Sequence, residues 1–252
     1  MRDLRKAANL PTEKTAVFNT LAGLLIPPLQ ALARIEIVDG EKLPVEGAVV
    51  VAPNHFSNVD PAVVGAAMYK LGRMPHYLAK VSLFSVPIFG WLLRHSEQVP
   101  VERTGVVRGQ DPIGAADAIV KAGHAVVIYA EGSLTRDPNL WPMRGKTGAV
   151  RMALLTGAPL IPVAHWGTQL IDPREGHLRL SPFPRKVLTV KFGDPVDLSE
   201  FSKTSMDPAT LHAATAKLMK AITALLEEVR GEKAPDEIWD PVKHNQSEIG
   251  KF

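Results

Sequence analysis

Asn54-His55-Phe56-Ser57-Asn58-Val59-Asp60 follows directly on the apolar run Ala48-Val49-Val50-Val51-Ala52, and reading the two together decides the fold. A short β-branched run with no polar break reads as a strand buried on both faces, the kind found in parallel sheets. The polar segment after it then lies in a loop at the strand's carboxyl end. A histidine there, with an aspartate five residues on, is a candidate base with a carboxylate to orient it. The same residues also have a structural reading: Ser57 or Asp60 caps the helix that opens at Pro61. The two roles are compatible for Asp60, because a carboxylate at a helix start can also accept the Nδ1–H bond of His55.

Outward from this stretch, strands and helices alternate. Strands are expected at 35–38, 48–52, 76–80, 98–101, 125–130, 160–164 and 187–192. Helices are expected at 13–26, 61–71, 85–93, 112–122, 146–156 and 208–230. The first ends at Pro27-Pro28, and a short helix follows at 29–33. The alternation implies an α/β fold, a mostly parallel central sheet covered by helices with an N-terminal helical appendage. The expected divisions are an N-terminal helical membrane-association segment (1–34), an α/β domain (35–230) and a polar tail (231–252), in which Ile238 and Trp239 look able to dock.

Composition narrows the chemistry. The chain of 252 residues has no cysteine, which excludes thiolate nucleophiles, disulfides and cysteine-ligated zinc. No HExxH pattern or clustered ligand set points to a metal, so none is expected. A serine-hydrolase elbow is missing. Gly145-Lys146-Thr147 is not a nucleotide loop, because Leu140 stands where that pattern needs glycine.

The net charge of +3 resides in residues 1–34, where Arg2, Arg5, Lys6, Lys14 and Arg34 oppose Asp3 and Glu13. That excess adjoins the uncharged stretch 15–33, which fits a membrane surface better than nucleic acid. A peripheral or monotopic seat on the cytoplasmic face of a membrane is therefore expected. The uncharged run Val81–Leu93 reads as a core helix, or else as an apolar wall for a fatty chain or a second membrane-facing surface.

In open α/β sheets, ligands bind beyond the carboxyl ends of the strands. The residues expected there include His55, Lys80, Arg103, Glu131–Arg136 and His165. Lys80, Arg103 and Arg136 at one edge favour phosphate recognition.

With these segments in place, residues 35–200 resemble the glycerolipid acyltransferases of the 1-acylglycerol-3-phosphate acyltransferase type. The matching blocks are Asn54-His55 through Asp60, Lys80 through Gly90-Trp91, Val101-Glu102-Arg103, Glu131-Gly132 with Thr135-Arg136, and Ile161-Pro162-Val163. Two features depart from the commoner pattern. Ser133-Leu134 displaces Arg136 by two residues, leaving Arg144 or Lys146 as substitutes, and Ala130 replaces a proline. The resemblance implies transfer of an acyl group from acyl-coenzyme A or acyl carrier protein, as co-substrate, to a glycerol-phosphate lipid, with no cofactor. It implies His55 and Asp60 as catalytic residues. Asn54, Lys80, Arg103, Glu131, Gly132, Arg136 and Pro162 would then bind substrate.

Overall fold

The structure, a computed structural model, describes residues 15–101, 112–174, 176–201 and 206–247. Its strands are β1 (Ala33–Val38), β2 (Val49–Pro53), β3 (Pro75–Lys80), β4 (Val99–Val101), β5 (Ala125–Val127), β6 (Leu160–Trp166) and β7 (Lys186–Phe192). The α-helices are α1 (Ala16–Leu32), α2 (Asp60–Lys70), α3 (Phe89–His95), α4 (Pro112–Lys121), α5 (Gly148–Thr156) and α6 (Pro208–Arg230).

The strands form one sheet in the order β1-β7-β6-β2-β5-β3-β4. Neighbours are parallel except β6 and β7, which run antiparallel. Thus β6, β2, β5, β3 and β4 all end on one edge, and β1 and β7 begin there. The α/β expectation holds, and the buried run 49–52 lies between β5 and β6 near the middle of the sheet.

Alternation along β2 explains the two layers. Val49 and Val51 face a core shared with α2, while Val50 and Ala52 face the core under α4, α5 and α6. All four are fully buried, and each valine contributes roughly 1.5–3 kcal/mol relative to exposure.

The diproline does not end α1, contrary to the expectation. The helix runs on to Leu32 through Pro27 and Pro28. Proline removes a backbone donor and crowds the carbonyl four residues earlier, here Gly23 and Leu24. Phe18 and Leu29, both buried, anchor the helix on either side of that interruption. α1 packs on α2 and leads directly into β1, which begins at Ala33.

The expected strand at 125–130 is shorter, ending at Val127, although the Ile128 N–H still donates to the Val51 carbonyl. The expected helix at 85–93 begins only at Phe89, as α3, and runs on to His95, after a 3-10 turn at Val81–Ser85. Trp239 docks through its backbone, bridging to Met143 and accepting from the Arg144 N–H. No helix among the described residues is long and apolar enough to cross a membrane.

Candidate active site

His55 follows β2, and the loop after β5 grips its backbone from both sides. Its N–H donates to Glu131 Oε1 at 2.8 Å, and its carbonyl accepts from the Thr135 N–H at 2.7 Å. The ring Nδ1 lies 3.0 Å from Asp60 Oδ2. The backbone N–H groups of Phe56 and Ser57 donate to that same oxygen, each at 2.8 Å. Thr168 donates its hydroxyl to the other oxygen at 2.6 Å.

Asp60 therefore acts differently from the expected helix cap. Val59 is the cap residue, with no side-chain cap bond, and Asp60 is the first residue of α2. Its carboxylate turns back to the loop and closes 56–57 around the histidine. Ser57 does not cap the helix either. Its hydroxyl donates to Asp172, which also receives the Asn58 N–H.

The electrostatics set the tautomer. Burial alone would raise the Asp60 carboxyl, but the adjacent His165 and His55 and the Thr168 hydroxyl outweigh it and hold it below the usual carboxylate value. An ionised Asp60 puts the shared proton on Nδ1, an assignment made from the hydrogen bonds, and leaves the lone pair on Nε2. His165 is buried with Nε2 2.8 Å from the Asn54 carbonyl and 3.6 Å from Asp60. Burial lowers its pKa against the pull of Asp60 and of the Asn54 carbonyl, to which its Nε2–H donates.

Three residues expected to bind substrate have other tasks in the structure. The Asn54 side-chain amide is bonded at both ends to the His165 backbone, tying the loop to β6. Glu131 has no exposed surface and accepts from the N–H groups of His55 and Met143. Burial pushes its carboxyl up to about 8 against the pull of those amides and of Thr135. Pro162 lies mid-sheet opposite Ala52, its carbonyl taken by the Gly193 N–H. Asn54 and Glu131 thus brace the loop that carries His55, and Pro162 lies inside the sheet.

Gly132 has φ 72°, the left-handed backbone that its turn back to the Tyr129 carbonyl requires. Lys80 ends β3 at the site edge. Arg103 lies outside the described residues. Arg136 is buried beside Arg174, whose Nη1 donates to the carbonyls of Thr135 and Asp137 at 3.2 and 2.7 Å. Burial and the like charge of Arg174 lower the Arg136 pKa. Of the two substitutes, Arg144 is 3.4 Å from Asp240, and the Lys146 N–H donates to Ala130.

A cleft of about 510 Å³ ends at this centre. From Asn58 it follows α2 past Ala62, Gly65 and Tyr69, about two helical turns, with Leu21 and Ile26 of α1 opposite and Leu78 of β3 beneath. His55, Tyr129 and Leu134 line its inner end. Leu134, one of the two residues that displace Arg136 from the commoner spacing, thus supplies part of the apolar wall. Among the described residues, no group of three or more histidine or acidic side chains could hold a metal.

A buried His–Asp pair at the carboxyl edge of a parallel sheet, opening on an apolar cleft, suits chemistry on a long-chain substrate. The chain belongs to the Acyltransferase family, whose model matches residues 34–166. It is 28% identical over 168 residues to a 1-acyl-sn-glycerol-3-phosphate acyltransferase of Bacillus subtilis, covering 67% of this chain and 76% of that protein. A Salmonella typhimurium protein of the same name is 25% identical over 76% of this chain and 74% of its own length. A chloroplastic relative from Brassica napus is 30% identical over 124 residues, 49% of this chain, and the match spans about a third (34%) of that relative. The crystal structure of the acyltransferase PlsC from Thermotoga maritima shares the fold, with a TM-score of 0.64 at 22% identity over 93% of this chain and 86% of that one.

Proposed function

We propose that this chain transfers an acyl group from an acyl thioester, acyl-coenzyme A or acyl carrier protein, to a hydroxyl of a glycerol phosphate. The acceptor that suits the site best is lysophosphatidic acid, giving phosphatidic acid. The observation that carries this reading is His55, held by Asp60 through Nδ1 and lining the inner end of an apolar cleft. Nε2 takes the acceptor's proton as its oxygen attacks the thioester carbonyl. Asp60 steadies the imidazolium that results, and collapse of the intermediate expels the thiolate, which recovers the proton. Base assistance of this kind contributes about 10²–10⁴-fold.

The paired guanidinium groups of Arg136 and Arg174 support a phosphorylated acceptor. Two like charges close enough to feel one another gain from a shared anion. Lys80 and Arg103 complete the set by their place in the sequence. Arg174→Ala is expected to raise the KM for 1-acylglycerol 3-phosphate about tenfold, the scale of one charge-assisted hydrogen bond. The KM for an unphosphorylated monoacylglycerol should stay the same. Equal KM changes for both acceptors would favour a different lipid hydroxyl as substrate, and lipid binding without turnover by the unaltered protein would mark a silent member of the fold.

The reading includes a peripheral seat on a lipid surface. Leu24 of α1, with 58% of its surface exposed, and Ile88 and Trp91 around α3, at 78% and 49%, project from elements that line or adjoin the cleft. Combining Leu24→Glu with Trp91→Glu is expected to reduce pelleting with anionic phosphatidylglycerol vesicles while leaving turnover of a water-soluble acceptor intact. Undiminished pelleting would contradict this seat.

A further inference from the structure

Tyr129 lies two residues beyond the end of β5, between Ile128, which enters the core under α4–α6, and Ala130-Glu131. Its ring therefore turns to the opposite layer, where it stacks on His55 with centroids 4.1 Å apart and planes at 28°. Tyr77 lies beyond it, nearly parallel at 6.4 Å. The two phenols differ in one respect. Tyr77 donates its hydroxyl to the Pro61 carbonyl at 2.8 Å, while the solvent-shielded Tyr129 hydroxyl has no partner among the described residues. Burial, with Tyr77 and Asp60 nearby, pushes the Tyr129 phenol well above its ordinary pKa, so it keeps its proton.

A buried donor with no acceptor is rare and requires a reason. Tyr129 lines the cleft beside His55 and Leu134, at its inner end. The walls away from that end, Leu21 and Ile26 of α1 with Ala62 and Ala66 of α2, are apolar. An acyl chain fills them without offering an acceptor. The one strong acceptor such a donor substrate brings to His55 is the thioester carbonyl oxygen.

We propose that the Tyr129 hydroxyl donates a hydrogen bond to the carbonyl oxygen of the acyl thioester and holds the oxyanion that forms there. The inference rests on His55 acting as base. As the acceptor oxygen bonds to the carbonyl carbon, the C=O π pair moves onto oxygen and the hydroxyl proton passes to His55 Nε2. When the C=O bond reforms, the C–S bond breaks and the departing thiolate takes that proton from His55. Tyr129 keeps its own proton throughout and supplies only the hydrogen bond. A donor aimed at the oxyanion acts at about 2.7–3.1 Å, and losing one costs about 10²–10³-fold in kcat.

Tyr129→Phe preserves the ring and its stack on His55 and removes only the oxygen. With a long-chain acyl-coenzyme A as donor, kcat is expected to fall about 10²-fold, with the donor KM and the melting temperature unchanged. Tyr129→Leu, which also removes the stack, should lose at least as much. Wild-type kcat in Tyr129→Phe would overturn the proposal, and so would activity in Tyr129→Phe with loss in Tyr129→Leu, because the ring alone would then matter. If the wild-type protein turns over and Tyr129→Phe matches it, only this assignment fails. If the wild-type protein transfers no acyl group to any acceptor, the reading of the whole site fails with it.

Discussion

Replacing His55 by alanine is expected to lower kcat for acyl transfer by about 10²–10⁴-fold, the contribution of a positioned general base. The fold should survive. The backbone of residue 55, not its ring, carries the bonds to Glu131 and Thr135, and alanine keeps both. Asp60 retains the Phe56, Ser57 and Thr168 donors after the ring is gone. The circular dichroism spectrum should thus match that of the wild type while coenzyme A release disappears. Full activity in this variant would remove His55 from the mechanism.

The second large effect is expected from Asp60→Asn. The asparagine oxygen can occupy the Oδ2 position and accept from His55 Nδ1 and the two loop amides, while its NH₂ turns to the Thr168 hydroxyl, which can accept. The geometry and the tautomer are retained, and what disappears is the negative charge facing the imidazolium. Loss of that charge in a buried site should cost kcat about 10²-fold or more, within the range known for His–Asp pairs. Stability should also fall, by roughly 1.5–3 kcal/mol, since the bonds that remain no longer run to a charged group.

The pH dependence of that penalty follows from the depressed Asp60 pKa. Its contribution is fully present above the unfolded carboxylate value, about 3.9, and is lost as pH falls through the folded value. The stability gap between wild type and Asp60→Asn should therefore be full at neutral pH and close in acid. Comparing denaturant midpoints at neutral and acid pH checks it. A gap that is constant with pH would mean that Asp60 is not ionised in the folded protein.

Much of this architecture was legible in the chain because it depends on local pattern. The unbroken run before Asn54 has nowhere to go but the middle of a sheet, and a polar loop must then emerge at its carboxyl edge. Period and spacing brought His55, Asp60, Glu131 and Arg136 to that edge. What they left open was direction. Whether the Asp60 carboxylate caps its own helix or turns back to the loop depends on Thr168, more than a hundred residues away. Asn54 and Glu131 carry polar groups suited to substrate, but the backbone donors and acceptors that occupy them come from β6 and the Met143 loop.

Arg174 and Tyr129 gave no sequence signal. Arg174 lies in an irregular segment with no periodicity, and Tyr129 reads as one more aromatic at the end of an apolar strand. Their significance comes from tertiary contacts, with Arg136 in one case and the His55 ring in the other. The run through Pro27-Pro28 departs from its local pattern for a related reason. Local propensity counts the lost hydrogen bonds, but not the burial of Phe18 and Leu29 on either side.

The most direct test of the account is to incubate the protein with a long-chain acyl-coenzyme A and 1-acylglycerol 3-phosphate, following free thiol and lipid product together. A diacyl product is expected to form in step with coenzyme A release, with negligible release when the acceptor is omitted. Thiol release at the same rate without acceptor, or no diacyl product with it, would contradict the assignment of His55 as the base that activates a lipid hydroxyl.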